Sequence, residues 1–213
     1  MNLQLSAISG FAASAGMFFL SLLASPSLVY GANPLFVSDK VIRMELRTDF
    51  AALQSDRTGT PEYHDGEISY RLKGERKVVL PVKVMVRGNF RLNPANCNFP
   101  PLLIDFKKNE VESKLFENQN KLKLVTPCQS EEDLVDEYTV YKMYNLVTDK
   151  SLKARLVIMT YKDINSGMVL FEKYSFFIED KDHAAERNNA EVREDDFTTD
   201  DMSREHYLIG AGF

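Results

Sequence analysis

Five basic side chains, Lys83, Arg87, Arg91, Lys121 and Lys123, recur in one stretch of the chain at spacings that short strands would bring to a common edge. Guanidinium and ammonium groups gathered there would donate charge-assisted hydrogen bonds to a phosphate or another anion. The plainer reading is that they are the solvated outer faces of strands. One carboxylate belongs to the same argument. Glu137 falls on the tyrosine-rich side of a predicted helix, between the positions of Tyr141 and Tyr144, where burial without a partner is costly. Lys123 or Lys121, on the strand just before that helix, is its nearest cation in sequence. A strand lysine paired with a helix glutamate is the arrangement by which protein kinases hold nucleotide phosphates; an ordinary ion pair, or an exposed Glu137, is the competing account.

Other chemistry is thinly represented. There is no Gly-x-Ser-x-Gly elbow, no His-Glu-x-x-His zinc pair, no phosphate loop ending in Gly-Lys-Ser/Thr and no glycine-rich dinucleotide fingerprint. His64, His183 and His206 lie far apart in polar stretches and read as solvated surface residues. The acidic pairs Asp195-Asp196 and Asp200-Asp201 lack the spacing and turn glycine of a calcium loop, and read as part of a linker.

The formal net charge of −5 over 213 residues gives no general attraction to nucleic acid. That average conceals an asymmetry: residues 71–123 carry a net charge of +7, and residues 179–206 carry −7.

The N-terminus reads as a targeting signal. Residues 8–23 carry no charge, and the run from Met17 to Leu23 is the apolar centre of a secretory signal peptide. Val29 and Gly31 suit a cleavage after Gly31, although no Lys or Arg precedes the apolar run. An uncleaved anchor is the alternative, but the run barely reaches the ~20 residues a span needs. A periplasmic or extracellular location is therefore expected, with no transmembrane span after cleavage. Export gives the two cysteines a purpose. Cys97 and Cys128 have no Cys or His neighbours at metal-ligand spacing, so one disulfide is expected, with two buried thiols as the alternative.

The elements that must position these residues are mostly strands. Residues 41–46 alternate apolar and charged, as do residues 82–87, and further strands are expected at 67–72, 77–80, 102–106, 121–125, 154–161 and 174–178. Residues 55–66 read as an exposed loop and 49–53 as a short helix. Ser130, with Asp133 three residues on, caps the main helix, which runs to about Val147. It carries tyrosines on one side and Val140, Met143 and Val147 on another, so it is expected to be wedged between elements. The fold expected is α+β: an antiparallel or mixed sheet of six or seven strands with one main packed helix and a disordered acidic C-terminal tail.

Taken in order, Arg87-Gly88-Asn89, Pro100-Pro101-Leu102-Leu103-Ile104-Asp105-Phe106, Lys121-Leu122-Lys123-Leu124-Val125, the helix with Glu137-Tyr138 and Tyr141-Lys142-Met143-Tyr144-Asn145, and Phe176-Phe177-Ile178-Glu179-Asp180 resemble the CotH-like atypical kinases, in a secreted bacterial branch. The resemblance covers residues 34–188. It implies a signal peptide over 1–31, a β-rich lobe similar to a kinase small lobe over 32–188, and an acidic linker over 189–213 leading toward a helical lobe. It further implies ATP and magnesium as cofactors, with Arg87, Lys121, Lys123 and Glu137 at the phosphates. Neither catalytic aspartate of the family can be assigned here, so activity from these residues alone is not expected. Tyr207-Leu208-Ile209-Gly210 resembles the start of the family's next helix. A non-enzymatic exported module, using the basic edge for an anionic polymer or a protein partner, is the other function the residues allow.

Overall fold

Alternation of buried and outward side chains decides the architecture. In β1 (Ile42–Thr48) the residues Ile42, Met44, Leu46 and Thr48 are buried, and in β3 (Val78–Val86) Leu80, Val82, Val84 and Val86 are. Each strand thus has one apolar face to hide. A computed structural model describes residues 33–57, 60–112 and 114–192, and in it the strands hide those faces on one another by closing a barrel. The other strands are β2 (His64–Tyr70), β4 (Leu102–Phe106), β5 (Lys121–Val125), β6 (Ala154–Asp163) and β7 (Val169–Ile178). The order around the barrel is β1-β2-β3-β4-β5-β7-β6 and back to β1. Every pairing is antiparallel except the closing one, β1 with β6, which is parallel from Ile42↔Val157 to Thr48↔Asp163.

Closure corrects the expected fold class. A kinase-like small lobe is a sheet whose apolar face is covered by a helix; here seven strands cover one another and no helix is needed inside. Leu46, Ile68, Leu80, Val84, Ile104, Leu122, Leu124, Val157 and Met159 fill the interior. Aromatic rings continue the core at both ends. Phe99 lies 5.0 Å from both Tyr161 and Phe171 near one end, and Phe116 lies 4.6 Å from Phe106 and 5.7 Å from Tyr70 near the other. The fully buried Tyr161 hydroxyl shares a 2.6 Å hydrogen bond with Ser175 Oγ, and burial pushes its phenol far above the ordinary tyrosine range.

Some local expectations shift as well. The two strands expected at 77–80 and 82–87 are one, β3, running through Pro81. Its ladder to β4 begins only at Val82, so the missing N–H falls where β3 has a neighbour on one side alone. The loop expected over 55–66 gives way to β2 at His64. A short helix, α1 (Phe50–Ser55), follows β1 and is capped by Asp49, whose carboxylate accepts from Ala52 N at 2.9 Å. A single turn, α2 (Lys108–Val111), follows β4.

The main helix, α3 (Glu131–Val147), begins as its sequence dictates. Ser130 accepts from Asp133 N at 3.0 Å, and Glu131, Glu132 and Asp133 complement the helix dipole. Leu134, Tyr138 and Tyr141 pack on the outer wall of β6 and β7, the two tyrosine rings 5.8 and 5.7 Å from Phe176. The opposite side is not wedged against anything described. Met143 is 60% exposed and Val147 83%, so α3 lies on the barrel surface. A last helix, α4 (Lys181–Arg187), follows β7. The expected signal peptide, most of the acidic tail, His206 and Tyr207-Leu208-Ile209-Gly210 lie outside the described residues.

The barrel wall makes a sharp demand at Gly66. A Cβ there would meet the backbone oxygen of Arg47 at 2.7 Å and Val84 Cγ2 at 3.1 Å, because β2 crosses close to β1 at this point. Gly66→Ala should therefore lower the unfolding free energy by about 2 kcal/mol in urea denaturation. Wild-type stability for this variant would show that β2 does not approach β1 as closely as the register requires.

Candidate anion-binding groove

Because β5 alternates, Leu122 and Leu124 enter the barrel while Lys121, Lys123 and Val125 face outward. Against that outer face lies α3, and between them opens a groove of about 360 Å³. The turn after β3 closes its side. Gly88 there adopts φ +100°, a conformation that costs a residue with a side chain, and Arg87 N donates to Pro101 O at 2.9 Å, fastening the turn to the start of β4. Arg87, Arg91 and Lys123 line the groove together with Glu137 and Tyr141.

Three of the four cofactor-site residues expected from the sequence, Arg87, Lys123 and Glu137, meet here. The fourth does not: Lys121 places its ammonium over the Tyr63 ring, 5.7 Å from the centroid, and does not line the groove. Lys83 is also elsewhere, paired with Asp65 at 3.1 Å. The cation holding Glu137 is neither strand lysine but Arg91, whose Nη2 donates to Glu137 Oε2 at 2.8 Å. Both side chains are about a third exposed, so the pair fixes geometry more than it stabilises the fold.

The groove's electrostatics follow from this pairing. Burial lowers the pKa of the Arg87 guanidinium; Tyr141 opposes that shift, neighbouring Arg91 adds to it and Glu137 opposes it. Burial, then Glu137, raises the Tyr141 phenol, with Arg87 and Arg91 pulling the other way. No hydrogen bond or ion pair among the described residues engages the side chain of Arg87 or Lys123. Three cations against one carboxylate leave the groove with an excess of two positive charges, and Tyr141 adds a hydroxyl.

What positions Arg91 is a residue the sequence reading passed over. Arg57, only 7% exposed, donates to the carbonyl oxygens of Leu92 (3.0 Å), Asn98 (3.1 Å), Arg91 (3.1 Å) and Cys97, and to Gln54 Oε1 at 3.0 Å. One guanidinium thus gathers the loop from Arg91 to Asn98, which has almost no regular structure of its own. The signal for it was present: Arg57 stands four residues after the buried Leu53, continuing the apolar side of α1 with a charge. The expected disulfide, Cys97 to Cys128, fastens the same loop to the segment after β5, its Cα atoms 4.8 Å apart. Asn98 N donating to Cys128 O at 3.1 Å and Thr126 Oγ1 to Phe99 O at 3.1 Å complete the seam.

The two described histidines, His64 and His183, stand apart from the groove. His64 shares a 2.5 Å hydrogen bond with Asp56, which lowers that carboxyl below its usual range and clasps the end of α1 to β2. His183 lines a separate cavity at the barrel end. Among the described residues no group of three or more His, Cys, Asp or Glu side chains is placed to hold a metal, and no helix is long and apolar enough to cross a membrane. Comparison with family models, with curated proteins and with solved structures returns no match to this chain.

If Arg57 organises the loop, Arg57→Met should cost about 3 kcal/mol of stability in urea denaturation, because charged hydrogen bonds are lost and backbone carbonyls lose their donor. Limited proteolysis should then cut between residues 87 and 98. A variant as stable and as protease-resistant as the wild type would show that the disulfide alone holds the loop.

Proposed function

We propose that the protein is an exported, non-enzymatic binding module whose groove takes a phosphoryl or carboxylate group of an anionic polymer or protein partner. One observation carries this reading: Arg87, Arg91 and Lys123 converge on a single groove in which Glu137 offsets one charge only. Two guanidinium forks supply planar, paired donors, and the lysine supplies a mobile point charge. Glu137 orients Arg91. The groove lies on the outer wall, open to a chain running past it, and Phe90, 73% exposed, offers an apolar contact on its rim. The apolar N-terminal run and the Cys97–Cys128 disulfide support export, since disulfides persist in oxidising compartments.

ATP with magnesium, which the resemblance to CotH-like kinases implies, fits these residues less well. The kinase arrangement needs the helix glutamate on a strand lysine, and Glu137 is held by Arg91. Glu137 is also the only carboxylate among the groove's described lining, and it is already engaged. At about 360 Å³ the groove is near the small end of the roughly 300–1,000 Å³ that ligand pockets span, suited to one phosphate group with its immediate neighbours.

Isothermal titration with inorganic polyphosphate and with ATP–magnesium separates the readings. Polyphosphate should bind saturably and weaken as sodium chloride rises from about 50 mM to about 300 mM. Arg87→Ala or Lys123→Ala should each reduce its affinity about tenfold, with Lys121→Ala close to wild type. Magnesium-dependent ATP binding tighter than that of polyphosphate, and abolished by Lys123→Ala, would instead support the nucleotide reading.

A further inference from the structure

Helix α3 hides only one of its sides. Leu134, Tyr138 and Tyr141 pack on the barrel, whereas Val140, Met143, Tyr144 and Val147 are 50 to 83% exposed. Spacings of three and four residues put these four on one stripe, about 10 Å long. The solvent side of a surface helix is ordinarily polar, and a contiguous apolar stripe there marks a contact surface. A second exposed apolar group, Met168, Val169 and Leu170, lies at the turn between β6 and β7. The length of β6, about 30 Å, separates that turn from the one by which α3 leads into the strand.

The chain passes the first of these two groups after its last helix. Arg187, the final residue of α4, donates from Nη2 to Ser151 O at 2.9 Å and from Nη1 to Asp149 O. Asp149 stands two residues after Val147, so the path beyond α4 starts beside the C-terminal end of the stripe. Residues 193–213 continue from there, and their one run of three apolar side chains is Tyr207-Leu208-Ile209. Residues 193–206 precede that run and, at about 3.3 Å each, reach up to about 46 Å, several times the length of the stripe. Residues 194–206 carry six carboxylates against one arginine. Lys150 and Lys153, between α3 and β6, have no ion-pair partner among the described residues. The acidic stretch is therefore attracted to the turn it must cross to bring Tyr207 over α3.

We propose that Tyr207, Leu208 and Ile209 cover the apolar stripe of α3, so that a segment of the chain itself is the occupant of this face. Belonging to the same molecule, the segment meets the stripe at an effective concentration of roughly millimolar order, and three apolar side chains suffice where a separate partner would need a far larger interface. The contact uses none of the residues lining the cationic groove and stands whether or not that groove takes an anion.

The test is the rate of methionine sulfoxide formation in dilute hydrogen peroxide, followed residue by residue by peptide mass spectrometry on the full, disulfide-bonded chain. Met143 is 60% exposed on the barrel surface and Met168 64%, so a bare stripe would let both oxidise at nearly the same rate. Covered, Met143 should react at least about fivefold more slowly than Met168, at every protein concentration from about 1 to about 50 µM. Leu208→Asp and, on the stripe, Val147→Asp should each bring Met143 up to the rate of Met168. Equal rates in the wild type would overturn the proposal. So would protection that survives Leu208→Asp, or protection lost on dilution, which would put a second copy of the chain on the stripe.

Discussion

The parallel pairing of β1 with β6 is the constraint from which the rest of the molecule follows. Six of the seven neighbour contacts around the barrel are antiparallel, but only this one joins the first strand to a strand more than a hundred residues later. Without it β1 and β6 would each present an open edge, and the inner faces of all seven strands would be left on an uncovered sheet. Small clasps reinforce it at one end: Ile164 N donates to Thr48 O at 2.9 Å, and Asn165 Nδ2 to Asp49 Oδ2 at 2.9 Å. Closing so long a loop costs entropy that only many simultaneous contacts offset, and the filled interior provides them.

Closure also determines where chemistry can occur. With the interior filled by aliphatic and aromatic side chains, polar groups are left to the outer wall and the ends. The groove of Arg87, Arg91 and Lys123 uses the wall, and a second cavity, bounded in part by α2 and α4, lies at an end. Neither is built from strand residues alone. The groove needs α3 on one side and, on the other, an irregular loop held by the buried Arg57 guanidinium and the Cys97–Cys128 disulfide. A charge buried within the loop thus fixes the backbone from which Arg91 reaches Glu137.

Much of this was legible in the sequence, and what was not has a physical reason. Period-two alternation located β1 and the outward faces of Lys123 and Arg87, and the Ser130 cap located the start of α3. Cysteine count and spacing, with the apolar N-terminal run read as an export signal, indicated the disulfide. Alternation cannot say which strands become neighbours, however, so a closed barrel and an open sheet with a covering helix read alike. Lys121 and Lys123 share a face, yet the ~7 Å between alternate strand residues suffices to send one to Tyr63 and the other to the groove. Glu137 was seen to need a cation, but the partner lies 46 residues back, on a loop whose course is set by Arg57 and not by any local pattern. The apolar residues on the far side of α3 suggested burial on two sides; in the folded chain Val140, Met143 and Val147 remain exposed.

The most direct measurement of the central claim, that a closed barrel carries one anion-selective groove on its outer wall, is a nitrogen-15 amide spectrum of the oxidised protein titrated with inorganic pyrophosphate. The predicted result is saturable movement confined to the amides from Arg87 to Arg91 and those of Lys123, Glu137 and Tyr141. Non-saturating movement spread over Lys107, Lys108 and other exposed lysines, with the groove amides unmoved, would contradict it.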